Sequence, residues 1–285
     1  MTHKELLKAI GKINASSADL DGLIAGSRDN MLRSLVSAEK RIMARVTELV
    51  ADMPNLNAVK ANQRIQYYLG ERKALWDAFG ESGYLDDISK FVDGHDAVAE
   101  LTGKLLKAGK IPADFTRIPQ SMITMIKNRD MVYFRELNVA ARNQIDKILM
   151  SQIIGGRTPK DALKVLRGAI TGEYAWGTRQ GVYSWHAGTY VRTAHNRASR
   201  AYIQAARTDY GLDTFLYSGP ILSNTRAFCL AIVGGVYTAD QVDQMDNGQV
   251  GDVWTDGGGY NCGHKMIPVS KELADAIKEA EGVEG

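Results

Sequence analysis

Asp19–Val50 reads DLDGLIAGSRDNMLRSLVSAEKRIMARVTELV. Apolar residues recur at Leu20, Leu23, Ile24, Met31, Leu35, Ile42, Val46 and Leu49, in steps that mix three, four and seven. Steps of that size line up on one face of a helix and leave the opposite face polar. Pro54 has no amide hydrogen and stops the pattern. The stretch therefore predicts a long helix with one buried stripe, and it sets the class of the N-terminal part.

Further along, the same reading predicts helices over Asn57–Phe79, about Tyr84–Ala108, and Ser121–Ile154. Gly80 and Gly83 close the first, Gly94 and Gly103 weaken the second, and Gly155-Gly156 ends the third. Thr158-Pro159 predicts an N-cap followed by proline at the first helical position, so a short helix runs from Lys160 to about Ala169. Gly172–Gly181 reads as loop, and Val182–Tyr210 as a further helix ended by Gly211.

The texture changes after Gly211. Thr214–Tyr217 and Val236–Tyr237 are expected as short strands. Ser223 or Asn224 is expected to cap a short helix through Val233, and Thr238 another through Met245. Residues 246–261 read as loop and Lys271–Ala280 as a last helix. The expected fold is mainly α: an elongated helical body over residues 1–181, then a small irregular α+β module over 182–285.

Composition agrees with a folded chain. Of 285 residues, 45% are apolar and 24% charged, which are ordinary globular values. No run of about 18 apolar residues exists to span a membrane. Met1–Lys12 lacks the apolar core of a secretion signal, so the expected place of synthesis and action is the cytosol, with no membrane partner. Charge is uneven. Residues 104–207 hold 18 basic and 6 acidic groups, a net of +12, while residues 208–285 hold 4 and 12, a net of −8. The basic segment suits either nucleic-acid phosphate or an acidic surface, including that of the last module.

Four segments then fall in one order: Tyr190-Val-Arg192-Thr193-Ala-His-Asn-Arg197; Thr225-Arg226-Ala-Phe228-Cys229; Met245-Asp-Asn-Gly248-Gln249; and Gly258-Gly-Tyr260-Asn261-Cys262-Gly-His264, followed by Pro268-Val269. In order and spacing this resembles the C-terminal domain of tailed-phage head morphogenesis proteins, the family named after the F protein of phage Mu. The match covers about residues 185–270. It departs at Leu222, where the family often has aspartate, and at Gly263, where it often has arginine, so no role is carried to those two positions. The resemblance implies a minor head protein without catalytic activity. It would be assembled in the host cytoplasm into the virion head, bound to the portal protein, the major capsid protein or a scaffolding protein. Some members enter the capsid and leave with the genomic DNA.

Cys229, Cys262 and His264 are the sharpest chemical constellation. Two thiolates and an imidazole can hold zinc if a fourth donor joins them, with His186, His195 and Asp256 as candidates. The same cysteines also fit buried thiols, or a disulfide closing the loop between them. A hydrolase reading would make Cys229 the nucleophile, His264 the base and Asn261 the orienter, but no nucleophile motif surrounds Cys229. Arg192, Arg197, Arg200 and Arg207 share the 182–210 helix. Arg197, Arg200 and Arg207 face either DNA phosphates, as in a packaging factor, or acidic residues such as Asp240, Asp243 and Asp246. Arg226 falls in the first turn of a predicted helix, a poor place for a cation, which points to a specific partner. Phe228 reads as core, and Tyr67, Tyr68, Trp76, Trp176 and Trp185 as packing residues.

Overall fold

The computed structural model describes every residue except 113–116, 175–176, 250, 260, 281 and 283–285. Trp176 and Tyr260 therefore lie outside the described residues. The chain is mainly α, 73% helical, with a small antiparallel sheet near its C-terminus.

In chain order the elements are α1 (His3–Ala51), a 3-10 turn (Leu56–Ala58), α2 (Ala61–Gly80), α3 (Tyr84–Asp93), α4 (His95–Ala108), α5 (Gln120–Ile154) and α6 (Pro159–Thr171). Strands β1 (Glu173–Tyr174) and β2 (Gly177–Thr178) follow, then α7 (Val182–Tyr210), β3 (Thr214–Ser218), α8 (Ala227–Ile232) and β4 (Val236–Thr238). Last come α9 (Ala239–Asp243), α10 (Val253–Asp256), β5 (Lys265–Pro268) and α11 (Lys271–Ala280).

These elements form two compact units. Unit 1 comprises Met1–Ser27, Asp93–Asn128 and Arg192–Gly285; unit 2 comprises Arg28–Val92 and Arg129–Val191. Helices α1, α5 and α7 contribute residues to both, as does α3 with its last residue, Asp93. The division expected at 181/182 precedes the last unit boundary, and the expected module omits the two N-terminal segments of unit 1.

In unit 1 the sheet runs β4-β3-β5, with both pairs antiparallel. Alternation along the strands sorts its two faces. Leu216 of β3 and its partner Ile267 of β5 join a core with Leu6, Ile13, Leu20 and Ile24 of α1, Val98 and Leu105 of α4, Tyr202 of α7 and Leu273 of α11. Phe215, Tyr217 and Met266 face the other way, into a cluster with Cys229, Val242, Val253, Trp254 and Cys262. Lys265 sits two residues before Ile267 on the first face. Its fully buried ammonium reaches Asp21 of α1 and donates to the Gly263 carbonyl at 2.9 Å.

In unit 2 the core is aromatic. Tyr84 stacks on Tyr183 with ring centroids 4.1 Å apart, Phe79 meets Tyr183 edge-on at 5.8 Å, and Phe91 meets Phe134 at 5.8 Å. Such pairs add to the stabilisation from area burial alone. Glu39 of α1 accepts a hydrogen bond from the Ser184 amide at 2.7 Å, at the start of α7.

Several expected elements differ in detail. Helix α1 begins at His3, sixteen residues before the quoted stripe, because Leu6, Ala9 and Ile13 continue it at the same spacing. The expected helix over Tyr84–Ala108 is two helices that part at Gly94. Within the expected loop over 172–181, Glu173–Tyr174 and Gly177–Thr178 pair as antiparallel strands. Helix α8 starts at Ala227, with Arg226 as its N-cap residue; neither Ser223 nor Asn224 caps it. Thr225 Oγ1 accepts from the Leu222 amide at 2.7 Å and so closes the preceding turn. Within the expected loop over 246–261, Asp252 caps the short helix α10 through the Thr255 amide. Trp185 is 68% exposed, which corrects its reading as a packing residue. The buried stripe of α7 runs through Tyr183, Ala187, Val191 and Ala194, and position 185 falls on the opposite side of the helix.

Candidate functional site

The second and fourth sequence segments meet under β3. Helix α8 carries Cys229, the loop after α10 carries Cys262, and His264 stands at the entry to β5. All three are buried, with exposures of 2%, 5% and 4%. Cys229 Sγ lies 3.7 Å from Cys262 Sγ, and Cys262 Sγ lies 3.6 Å from His264 Nδ1. The donor atoms of the three all fall within 4.8 Å of one another. The cysteines are free thiols.

Tyr217 of β3 completes the cluster. Its hydroxyl is 3.4 Å from Cys229 Sγ and 3.9 Å from Cys262 Sγ, and its ring stacks on His264 with centroids 5.3 Å apart and planes 10° apart. Phe228 packs edge-on against Tyr217 at 6.3 Å and is partly buried. The glycine-rich loop is close by necessity. A Cβ on Gly258 would sit 2.2 Å from Cys229 Sγ and 3.5 Å from Cys262 Sγ, so only glycine admits the sulfurs here. Asn261 carries the chain through the turn before Cys262 with φ +60°, a conformation asparagine tolerates better than most residues.

Arg200 of α7 holds the outer side of this loop. It is fully buried and donates to three carbonyls: Nε to His264 at 3.1 Å, Nη1 to Thr255 at 3.1 Å, and Nη2 to Cys262 and, at 3.0 Å, to His264. One planar guanidinium thus fixes the backbone on both sides of the cysteine and at α10. Arg197, one turn earlier, pairs with Asp256 at 2.8 Å. Asn247 donates to the Gly257 carbonyl at 3.0 Å and accepts from the Gln249 amide at 2.9 Å, while Gly248 turns the chain at φ +69°. The Gln249 carboxamide lies where a Cβ on Gly259 would be.

The electrostatics separate the two thiols. Burial opposes ionisation of Cys262, but the His264 hydrogen bond, the Arg200 charge and the Gly258 and His264 amides draw it down to about 6. Burial pushes Cys229 up, and so does its neighbour Cys262. Burial also raises the Tyr217 phenol, which keeps it neutral, and lowers the Arg200 guanidinium. Two sulfurs and an imidazole nitrogen are the donor set that suits zinc or another borderline-soft divalent ion.

The other residues singled out from the sequence are distributed as follows. Arg192 is half-buried and Thr193 buried on α7. Thr225 closes the turn before α8, and the charge of Arg226 is felt by Cys229. Pro268 ends β5 opposite Phe215. Arg207 pairs with Asp243 at 3.1 Å and lies over the Trp254 ring at 4.1 Å. Arg197, Arg200 and Arg207 are thus all engaged inside unit 1. For the hydrolase arrangement, His264 faces Cys262 at 3.6 Å, and Asn261 is exposed in its turn.

Tyr217, Lys265 and the hub role of Arg200 do not stand out in the sequence, and Asp256, a candidate fourth donor there, is paired with Arg197.

Fold and site together define a mainly α protein whose C-terminal unit encloses a two-cysteine, one-histidine cluster. No family model, curated protein or solved structure matches the chain. Among the described residues, no helix is long and apolar enough to cross a membrane.

Proposed function

We propose that this chain is a minor head protein of a tailed bacteriophage, an assembly component that acts at the portal or the inner shell of the head. The sequence resemblance over residues 185–270 motivates the reading. One observation supports it: the second, third and fourth of the resembling segments, which with the first span about eighty residues, meet at one site. Cys229 meets Cys262 and His264, Gln249 lies against Gly259, and Arg197 of the first segment pairs with Asp256 just ahead of the glycine-rich loop. Partners under this reading are the portal protein and the major capsid or scaffolding protein, with no catalytic turnover.

The DNA-packaging alternative rests on the +12 segment over residues 104–207. It loses support because Arg197, Arg200 and Arg207 are engaged with acceptors of their own unit. The hydrolase alternative loses support from the exposed position of Asn261.

The test is quantitative mass spectrometry of empty precursor heads and filled particles of the phage that encodes the chain. A few copies per particle are expected. Absence from both, with the protein free in the lysate, would overturn the reading.

A further inference from the structure

The donor atoms of Cys229, Cys262 and His264 all lie within 4.8 Å of one another, and two of their separations match the edges of a tetrahedral metal site. In a tetrahedral zinc site with Zn–S about 2.3 Å and Zn–N about 2.05 Å, an S···S edge measures about 3.8 Å and an S···N edge about 3.6 Å. The observed separations are 3.7 Å between the sulfurs and 3.6 Å between Cys262 Sγ and His264 Nδ1. An S···O edge to an oxygen ligand at about 2.1 Å would be about 3.6 Å. The Tyr217 hydroxyl stands 3.4 and 3.9 Å from the two sulfurs, beside the same group.

A second observation points the same way. His264 is 4% exposed, and its far nitrogen, Nε2, is buried without a hydrogen-bond partner among the described residues. Only Nδ1 faces the sulfurs, and a metal bound there leaves Nε2 as it is, so the bearing on a metal lies with the surroundings of Nδ1. Thiols are weak hydrogen-bond partners, so an imidazole held only by them is poorly compensated for its lost water. A disulfide would require the sulfurs to close from 3.7 Å to about 2.05 Å, and it would leave the imidazole with still less.

We propose that Cys229, Cys262 and His264 bind one divalent zinc ion, with the neutral Tyr217 hydroxyl beside the fourth position. Binding takes the ion from solution, forms two Zn–S bonds and one Zn–N bond, keeps one water of the ion as the fourth ligand, and releases to solvent the thiol protons the two cysteines still carry. The site links α8, the glycine-rich loop and β5 through one ion. A metal crosslink there would add to the order that Arg200 gives the loop. This inference does not depend on the proposed role in head assembly, and neither result below bears on that role.

The test uses the full chain, without a histidine tag, purified under reducing conditions from zinc-supplemented cells. Elemental analysis after gel filtration should find about one zinc per chain. Replacement of zinc by cobalt(II) should produce a thiolate-to-cobalt charge-transfer band and the intense visible bands of a tetrahedral site. C262S should lower the bound zinc about tenfold, in line with loss of a thiolate ligand. Because that variant could fail to fold, the cobalt spectrum of the unmodified chain decides by itself. Zinc well below stoichiometry with only weak cobalt bands would overturn the proposal. So would full zinc occupancy that survives in folded C262S.

Discussion

At the scale of single residues, the C-terminal unit depends on buried cations whose partners are mostly main-chain atoms. Arg200 is the clearest case, since it serves the carbonyls of Thr255, Cys262 and His264 at once. Removing it strands three acceptors in a dry environment, and each stranded group costs about 1–3 kcal/mol. Arg200→Met should therefore lower the stability of unit 1 by about 3 kcal/mol or more, read as an earlier transition in chemical denaturation. Arg200→Lys should rescue little, because a single ammonium cannot copy the planar fork. Wild-type midpoints for both variants would show that the guanidinium is dispensable. None of this was legible locally: an arginine on a helix reads as solvated or DNA-facing until the carbonyls that surround it are known. The cysteines were legible as a pair with a histidine. Which of the three thiol chemistries they serve was not, because that rests on ångström-scale separations between α8, a loop and β5.

At the scale of elements, helix ends and strand pairing separate what is local from what is not. Thr158 caps α6 through the Asp161 amide, and Thr238 caps α9 through the Gln241 amide, both as their sequence signals predict. Cap chemistry acts within three residues, so a short window contains it. The start of α7 is different. Its Ser184 amide is satisfied by Glu39, distant in sequence and buried in unit 2. Burial pushes the Glu39 carboxyl above its usual range, against the pull of the Ser184 and Tyr183 amides. A carboxyl with a raised folded pKa favours folding most below its unfolded value, and that advantage is lost as pH rises through the folded one. Glu39→Gln keeps an acceptor and removes the titration. Relative to wild type, its melting temperature should therefore improve between pH 4 and pH 7, measured by calorimetry of both proteins at each pH. A relative loss over that interval would contradict the assigned sign. Strand β5 shows the same contrast. Lys265-Met-Ile-Pro has no alternation to announce a strand, yet it pairs with β3 through Tyr217↔Met266 and Leu216↔Ile267.

At the scale of the whole molecule, the chain builds each of its two units from separated stretches. Unit 1 needs Met1–Ser27 and Asp93–Asn128 beside its C-terminal part, because Leu6, Ile13, Leu20, Ile24, Val98 and Leu105 cover one face of the sheet. Asp21 supplies the carboxylate for the buried Lys265. A fragment of residues 182–285 would expose that apolar face to water and remove the carboxylate partner of Lys265. Such a fragment should give a poorly dispersed amide spectrum and no cooperative thermal transition. A dispersed spectrum with a sharp transition would show that the N-terminal segments are not needed. By itself, the sequence determined the mainly α class, the limits of the long helices and several caps. Periodicity, proline and short polar side chains act between residues a turn or so apart, and those interactions are present in any window of the chain. Only the tertiary structure decided that Arg200 grips the cysteine loop, that Asp21 meets Lys265, that β5 is a strand and that two sulfurs, an imidazole and a phenol share one buried pocket. Those outcomes rest on contacts between residues tens to hundreds of positions apart, whose free energy comes from excluding water once the segments have packed.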